Sequence, residues 1–431
     1  MEQKKRETKN EKFFKNIDKK PFRKEEPKKE FHKEVKKDSV KEIKKDSEQI
    51  SNHKKCPVYK KCGGCQLQNL SYEEQLKLKE KLTTMHLGKF AKINPIVGME
   101  NPYHYRNKVQ SAFHTDRQKR IISGIYQSST HHIVPVDSCM TEDKKADEII
   151  LSIRKLVKDF KLTTYNEVTG KGFLRHVLIK RGFSTNEIMV VLVVGTPIFP
   201  AKNNFCEALL KLHPEITTIV MNVNDKYTSM LLGKNEKVLY GEGTITDILC
   251  GYKFRISPKS FYQINPVQTE KLYGLAIDYA GLKGNETVID AYCGIGTIGI
   301  AASKSGANIL GVELNPDAVK DAIFNAKLNN IKNIKFVTAD AGEFMTEMAE
   351  KGEKCDVLFM DPPRAGSDIP FLSSVCKLSP KKIVYISCNV ETMARDIAYL
   401  TKYMYKAVKF TPVDMFPHTN HVECVGLLTL K

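Results

Sequence analysis

The 431-residue sequence contains no tryptophan and no run of about 18 consecutive apolar residues. A membrane-spanning helix needs an apolar run of roughly that length, so an ordinary spanning helix is excluded. The first ten residues, MEQKKRETKN, contain no apolar stretch, and the sequence therefore predicts no secretory signal peptide. Hydrophobic residues make up 41% of the chain, which is typical of globular proteins and excludes disorder over the whole length.

Positive charge predominates in this chain. Its 68 Lys and Arg residues exceed its 50 Asp and Glu residues, which gives a formal net charge of +18. An excess of this size predicts a polyanionic partner, with nucleic acid as the first candidate. Residues 1–55 combine many charges with few aliphatic side chains, so they predict a disordered Lys-rich tail. The tail is either a solvated extension or a non-specific phosphate-binding arm, and the two interpretations are compatible.

Eleven cysteines without a signal peptide indicate a reducing compartment, so we expect a cytoplasmic protein whose thiols serve metals or chemistry. Cys56, Cys62 and Cys65 form a C-x5-C-G-G-C motif, and Cys139 follows much later. Structural zinc usually takes two close pairs of ligands, whereas three clustered cysteines with a distant fourth are more typical of a [4Fe–4S] cluster. The two glycines would let backbone N–H groups approach the sulfurs. Zinc, or buried cysteines without metal, are the alternatives.

Secondary-structure patterns divide the chain into four segments. They are the tail (1–55), an iron–sulfur module with Cys139 as fourth ligand (56–100), a β-rich central domain predicted to bind RNA (101–260) and an α/β domain (261–431). The module contains an amphipathic helix that begins after Ser71. The central segment shows antiparallel strand patterns with basic residues, notably at 105–108 and 175–181, which could follow a phosphate backbone.

The last segment predicts a doubly wound, Rossmann-like α/β fold with ligands at the carboxyl ends of its strands. Gly294, Gly296 and Gly299 follow a strand and open a helix, and Glu313 ends the next strand, where a carboxylate can bind ribose hydroxyls. Dinucleotide-binding proteins share this pattern. Asp361, followed by two prolines after a fourth strand, instead favours an S-adenosylmethionine methyltransferase.

Several segments together resemble the RNA uracil-C5 methyltransferase family. They are the cysteine motif, SPKSFYQIN (257–265), DAYCGIGT (290–297), the strand end at Glu313, DPPRAG (361–366), SCNVETMARD (387–396) and MFPHTNHVE (415–423). The resemblance covers about residues 56–431. Each segment is moderately specific, and the combination is highly specific.

The resemblance implies a role for individual residues. Cys388 matches the family's nucleophile, which adds to uracil C6, and Glu423 matches the base that removes the C5 proton. This division suits the chemistry, because uracil C5 is a poor nucleophile until a thiolate adds to C6. The expected contacts of S-adenosylmethionine are Gln263, Tyr292, Glu313 and Asp361, and the expected ligands of the [4Fe–4S] cluster are Cys56, Cys62, Cys65 and Cys139. Arg395 is a candidate cation for ionising the thiol.

The substrate implied by the resemblance is a uridine in RNA, exposed in a loop or flipped out of its stack. Family members with the cluster mostly modify 23S rRNA, which is the substrate we expect, and uridine 54 of tRNA is the alternative. Residues 1–55 are too charged to form the small RNA-binding barrel, the TRAM domain, that precedes many members. A non-catalytic RNA-binding or ribosome-assembly protein is the interpretation from another class. We expect a monomer with no membrane partner.

Overall fold

Strands from distant parts of the chain combine into two large sheets in the computed structural model, which describes residues 56–127, 130, 132–228 and 230–431. The predicted tail lies outside the described residues. The helices are α1 (Tyr59–Cys62), α2 (Tyr72–Leu87), α3 (Lys144–Asp159), α4 (Lys202–Leu212), α5 (Pro266–Ala280), α6 (Thr297–Ala302), α7 (Pro316–Leu328), α8 (Ala341–Glu350), α9 (Ile369–Leu378) and α10 (Val390–Tyr403), with a 3-10 turn at Ser303–Ser305.

The strands before residue 257 are β1 (Lys92–Ile93), β2 (Lys108–Thr115), β3 (Ile121–Tyr126), β4 (Ile133–Pro135), β5 (Leu174–Arg181), β6 (Ile188–Val194), β7 (Ile216–Val223), β8 (Asn235–Tyr240), β9 (Ile245–Leu249) and β10 (Tyr252–Ile256). Those that follow are β11 (Thr287–Ala291), β12 (Asn308–Glu313), β13 (Ile334–Thr338), β14 (Val357–Met360), β15 (Lys382–Ser387), β16 (Tyr405–Val413) and β17 (Glu423–Leu430).

The eight-stranded sheet has the order β1-β16-β17-β15-β14-β11-β12-β13. Strands β11 to β15 pair in parallel, and β17 runs antiparallel between β15 and β16. Successive residues such as Val288 and Ile289 enter separate cores on the two faces, because side chains alternate along a strand. Helices α5, α6 and α7 contribute to one core, and α2, α8, α9 and α10 contribute to the other. The predicted Rossmann-like α/β fold is confirmed.

The segment before residue 100 contributes directly to this sheet. Strand β1 pairs in parallel with β16, so Lys92 lies opposite Lys409 and Ile93 opposite Phe410. Helix α2 begins after Ser71 as predicted, and Ser71 and Glu74 form a reciprocal capping box. The described residues fall within a single compact unit, and the domain limits at 100 and 260 remain predictions.

The central sheet has the order β4-β3-β2-β5-β6-β7-β8. We expected antiparallel strands, and most pairs are antiparallel, but β6 and β7 are parallel. Helix α4 lies between these two strands in the chain and supplies the crossover that a parallel pair requires. Helices α3 and α4 cover one face of this sheet with an apolar core.

The predicted basic surface of β5 is mostly used internally. Arg175 is buried, makes two hydrogen bonds of 2.7 Å to Glu167 and donates to three backbone carbonyls of residues 224–228. Arg181 pairs with Asp143. Lys180 is also buried. These side chains support the fold, so the suggestion that this strand follows a phosphate backbone is wrong for Arg175.

None of the helices formed by the described residues combines the length and the apolar character needed to cross a membrane.

Candidate active site

Antiparallel pairing brings the predicted nucleophile and the predicted base to the same edge of the sheet. Ser387, the last residue of β15, lies opposite Cys424 of β17. Cys388 directly follows Ser387 and Glu423 directly precedes Cys424, so both residues lie at this edge of the sheet. Asp361 directly follows β14, the strand paired in parallel with β15, so it emerges at the same edge.

These three side chains influence one another electrostatically. Burial and the charges of Glu423 and Asp361 raise the pKa of the half-buried Cys388 thiol to about 11, and Arg364 opposes the rise. Burial and the neighbouring Asp361 raise the pKa of Glu423 to about 8. Burial raises the pKa of Asp361 to about 7. The arrangement therefore favours protons on all three groups compared with their free forms.

The loop after Asp361 is tied to helix α10. Asp396 accepts hydrogen bonds from Ser367 N–H at 2.8 Å and from the Tyr385 hydroxyl at 2.6 Å. Arg395 donates to Asp396 and to the carbonyls of Ala365 and Ser367. The sequence pointed to Arg395 as the cation for Cys388, but its guanidinium anchors this loop. Arg364 is the cation whose charge acts on the thiol.

Helix α2 holds the other side of the site, the segment 414–421. The Lys79 ammonium and the Asp414 carboxylate form an almost fully buried ion pair of 2.6 Å, and Lys79 also donates to the Phe416 carbonyl at 3.0 Å. Gln75 accepts a hydrogen bond from His418 N–H at 2.9 Å, and its amide lies 3.2 Å from His418 Nδ1. His418 thus helps to order the loop before Glu423.

The glycine-rich turn joins β11 to α6, and it contacts the carboxylate of Glu313, which is predicted to bind ribose. Glu313 Oε2 accepts from Gly294 N–H at 3.1 Å, and Glu313 Oε1 accepts from Asn315 N–H at 2.8 Å. Gly294 adopts a left-handed φ of +54°, and a Cβ added there would meet nothing within 4 Å, so its surface faces open space. The buried Asp290 accepts from Gly299 N–H at 2.8 Å and fixes the start of the helix.

Tyr292 lines an open cleft of about 690 Å³. Other lining residues come from α8, from the loop after Asp361 and from α9. Its φ of +63° is costly for a residue with a side chain, and such strain is common at functional sites. Its ring lies 5.0 Å from that of Phe371. Asp340 faces the same cleft from the carboxyl end of β13.

Gln263 lies on the segment between β10 and α5, where its backbone carbonyl accepts from the Asn107 side chain at 3.1 Å. Among the predicted cofactor contacts, Tyr292 lines the cleft, whereas the described residues that line it do not include Gln263, Glu313 or Asp361. The segment 257–260 is held by Lys180, whose ammonium donates to the carbonyls of Ser257 and Ser260, each at 2.8 Å.

The four predicted cluster ligands line one small cavity, together with residues of α1 and the segment 136–141. All four are free thiols. Two of the sulfurs accept hydrogen bonds from the backbone. The Gly64 N–H donates to Cys62, and the N–H groups of Thr141 and Glu142 donate to Cys139. The donor set and these N–H groups suit an iron–sulfur cluster. Within the part of the chain that the structure describes, no three His, Cys, Asp or Glu side chains are already arranged around a common metal position.

Three contributors to the site were not predicted from the sequence. Asp340 could have been found by the reasoning applied to Glu313, since it also follows a parallel strand. Arg364 stands within the DPPRAG motif, but its nearness to Cys388 depends on the path of the loop. The pairing of Lys79 with Asp414 joins positions 335 residues apart, and nothing local in the sequence signals it.

The sequence matches the family model of tRNA (uracil-5-)-methyltransferases over residues 71–431. An uncharacterized RNA methyltransferase of Clostridium acetobutylicum is 44% identical over 381 residues, which cover 86% of this chain and 82% of the relative. Uncharacterized RNA methyltransferases of Staphylococcus aureus and Bacillus cereus are each 42% identical over 381 residues, which cover 87% of this chain and 84% and 83% of the relatives.

A solved structure has the same architecture over most of its length. It is the Pyrococcus abyssi tRNA (uracil-54, C5)-methyltransferase in complex with S-adenosyl-L-homocysteine, with a TM-score of 0.72 and 29% identity. The alignment covers 85% of this chain and 86% of the solved one. On the family match and the curated relatives, this chain belongs to the tRNA (uracil-5-)-methyltransferase family.

Proposed function

We propose that the protein transfers a methyl group from S-adenosylmethionine to C5 of a uridine in RNA. The observation that carries the proposal is the meeting of Cys388, Glu423 and Asp361 at one sheet edge, given by the strand register and by their mutual effect on pKa values. A nucleophile beside a buried carboxyl is what addition and proton removal at one pyrimidine ring require.

The reaction begins when the Cys388 thiolate forms a bond to C6 of uracil and the ring becomes an enolate. C5 of the enolate then bonds to the methyl group as the bond from that methyl to its donor sulfur breaks. The Glu423 carboxylate takes the proton from C5, the double bond between C5 and C6 re-forms, and the Cys388 sulfur leaves. Glu423 must be ionised for the third step and Cys388 for the first.

Bound S-adenosylmethionine supplies the electrophilic methyl group. We propose that Glu313 binds its ribose, that Tyr292 offers an aromatic face in the cleft, and that Gln263 and Asp361 border the methionine end or the methyl group. S-adenosyl-L-homocysteine, with which the Pyrococcus abyssi enzyme was solved, is the product form of this cofactor and supports the proposal.

We propose that Cys56, Cys62, Cys65 and Cys139 hold a [4Fe–4S] cluster with a structural role. Protein purified without oxygen should be coloured and contain equal amounts of iron and sulfide, and Cys62→Ser should lose both. A colourless protein with one equivalent of zinc would overturn this assignment.

The central segment 101–260 is proposed to bind RNA. A cytoplasmic location and a monomeric state remain predictions.

We propose that the substrate RNA is 23S rRNA, because the cysteine motif resembles that of family members that modify this RNA. The second candidate is tRNA. The second candidate is favoured by the structural similarity to an enzyme that acts on uridine 54 of tRNA. Mass spectrometry of both RNAs from cells lacking the protein separates the two, because the RNA that loses 5-methyluridine is the substrate. Unchanged 5-methyluridine in both, in a strain without a related enzyme, would contradict the proposed reaction.

The roles of the two catalytic residues are tested by what each variant accumulates. Cys388→Ala should bind the cofactor and form neither product nor adduct. Glu423→Gln should form the bond to C6 and transfer the methyl group but retain the C5 proton, so a covalent protein–RNA adduct should resist denaturing electrophoresis. Normal turnover by Glu423→Gln would exclude Glu423 as the base.

A further inference from the structure

Two open cavities of about 590 and 550 Å³ meet on the central sheet and share Lys108 and Gln110 of β2. One extends from there to Lys180, Lys234 and Phe261, and the other extends to Arg106 and the cysteine cavity. Because they share residues, they form one continuous surface, which we call the β2 groove. Its defining residues are Arg106, Lys108, Gln110, Lys180, Lys234 and Phe261.

The groove lies on the face of the sheet opposite helix α3. Val109 and Phe113 of β2 belong to the apolar core beneath α3. Side chains alternate along a strand, so Lys108 and Gln110 point away from that core and into the groove. This placement leaves α3 and its exposed lysines on the other side of the sheet.

The groove concentrates positive charge. Burial and the charge of Arg106 lower the pKa of Lys108, and burial and the charge of Lys108 lower the pKa of Lys180 to about 7, so neighbouring cations repel one another. Glu142 is the one acid among the described residues that line the two cavities. Like charges held this closely are stabilised by an anionic ligand.

The wall of the groove also carries exposed apolar side chains. Phe261 is 65% exposed and Met230 is 69% exposed, although both are large and hydrophobic. Lys180 fixes the backbone just before Phe261 through its bonds to Ser257 and Ser260. A fixed aromatic ring next to a row of cations is the arrangement that binds unpaired bases and their phosphates.

The groove is continuous with the active site. His421, two residues before Glu423, lines its far side, and His421 Nδ1 lies 3.2 Å from Nη2 of Arg364. A chain lying in the groove would therefore pass His421 and the neighbouring Arg364, whose charge acts on Cys388.

We propose that the β2 groove binds the single-stranded RNA next to the target uridine, with phosphates along Arg106, Lys108 and Lys234 and a base against Phe261. This inference rests on the proposed function, because it assigns the path of that substrate. A duplex suits the groove poorly, since its bases are paired and stacked and cannot contact the apolar wall.

The test compares two double variants that lose the same charge. Lys108→Gln with Lys234→Gln alters the groove, and Lys155→Gln with Lys158→Gln alters exposed positions on α3. Binding of a short oligouridylate to the full chain is measured over a range of salt concentrations. The groove variant should bind on the order of tenfold more weakly, with a slope of log affinity against log salt that is shallower by about 1 or more. The α3 variant should retain the wild-type slope.

Equal effects of the two double variants, or tighter binding of duplex RNA than of oligouridylate, would overturn the inference. If the double variant fails to fold, Lys234→Gln alone replaces it in the binding measurement. Lys234 is exposed, so its substitution should not disturb the fold. An independent measurement is photo-crosslinking of 4-thiouridine oligonucleotides, which should label peptides containing residues 230–234 or 258–261. Failure of the proposed function gives a different result from failure of this inference. If the proposed function is wrong, the wild-type protein forms no 5-methyluridine, whichever RNA the groove variants bind.

Discussion

The Cys388 thiol, which is the proposed nucleophile, is held in its protonated form by its surroundings. Burial and two neighbouring carboxyls raise the pKa of Cys388 to about 11, so only a small fraction is thiolate at neutral pH. The thiolate is the nucleophile, and below the pKa its fraction increases tenfold with each rise of one pH unit. The rate of addition to uracil should therefore increase with pH, and any positive charge near the sulfur should accelerate it.

Arg364 provides the test of this electrostatic effect, because its charge lowers the pKa of the thiol. Arg364→Gln should raise that pKa further and slow alkylation of Cys388 by iodoacetamide at pH 7, by about tenfold if the pKa rises by about 1. The deficit should shrink as pH increases, and Arg364→Lys should restore part of the rate. An alkylation profile that keeps its position along the pH axis would show that Arg364 acts only by supporting the loop.

Glu423 makes stability depend on pH in a definite direction. Its pKa is about 8 in the folded protein against 4.5 for a free glutamate, so the folded state keeps a proton that the unfolded chain releases. Its contribution is complete below pH 4.5 and is lost as pH increases to about 8. Glu423→Gln should thus be more stable than wild type at about pH 8 to 9, by a few kcal/mol at most, with the difference vanishing toward about pH 4. Urea unfolding at the two pH values measures this, and an equal difference at both would contradict it.

The side chains proposed to react could be named from the sequence because they sit in short motifs that resemble those of the family. Cys388 and Glu423 are assigned by resemblance, and the pairing of Ser387 with Cys424 brings both to the same edge of the sheet. The surroundings could not be named in this way. The linear sequence does not distinguish Arg395 from Arg364 as the cation, and only the folded loop decides which guanidinium is close enough to act on the sulfur.

Among the elements, helix α2 and the segment 414–421 act as one unit. Their contact depends on the buried pair of Lys79 and Asp414 and on the bonds between Gln75 and His418. The helix itself was predictable from Ser71 at its start and from its periodicity, but its docking was not, because the partner lies 335 residues away. The parallel pairing of β6 with β7 was missed for a similar reason, since strand patterns do not specify the direction of pairing.

Breaking the buried pair should cost much more than breaking a surface pair. Lys79→Met leaves the Asp414 carboxylate buried without its cation, which typically costs about 3–5 kcal/mol. The exposed pair of Lys320 and Asp317 is the matched control, and Lys320→Met should cost less than about 1 kcal/mol. Urea unfolding gives both values. A loss for Lys79→Met as small as that for Lys320→Met would mean that the pair contributes little to the docking of α2.

At the scale of the whole molecule, two sheets divide the work that the proposed function requires. The eight-stranded sheet gathers the groups proposed to react at one edge, as expected for an α/β fold whose ligands bind at the carboxyl ends of strands. The central sheet carries the β2 groove, whose far side is lined by His421, two residues before Glu423. The overall fold was predictable from the alternation of strands and helices, whereas the continuity of groove and active site requires the packing of segments far apart in the chain.

The Lys-rich tail, which lies outside the described residues, should add affinity without adding selectivity. It carries 20 of the chain's basic residues and 12 of its acidic residues, so a net charge of +8 would attract any RNA through counterion release. A chain beginning at residue 56 should keep the thermal stability and low-salt methylation rate of the full chain, because the described residues form a compact unit. Its affinity for RNA should be lower and less salt-dependent, by similar factors for substrate RNA and for an unrelated RNA of equal length. Loss of discrimination between the two RNAs would instead assign the tail a role in recognising the substrate.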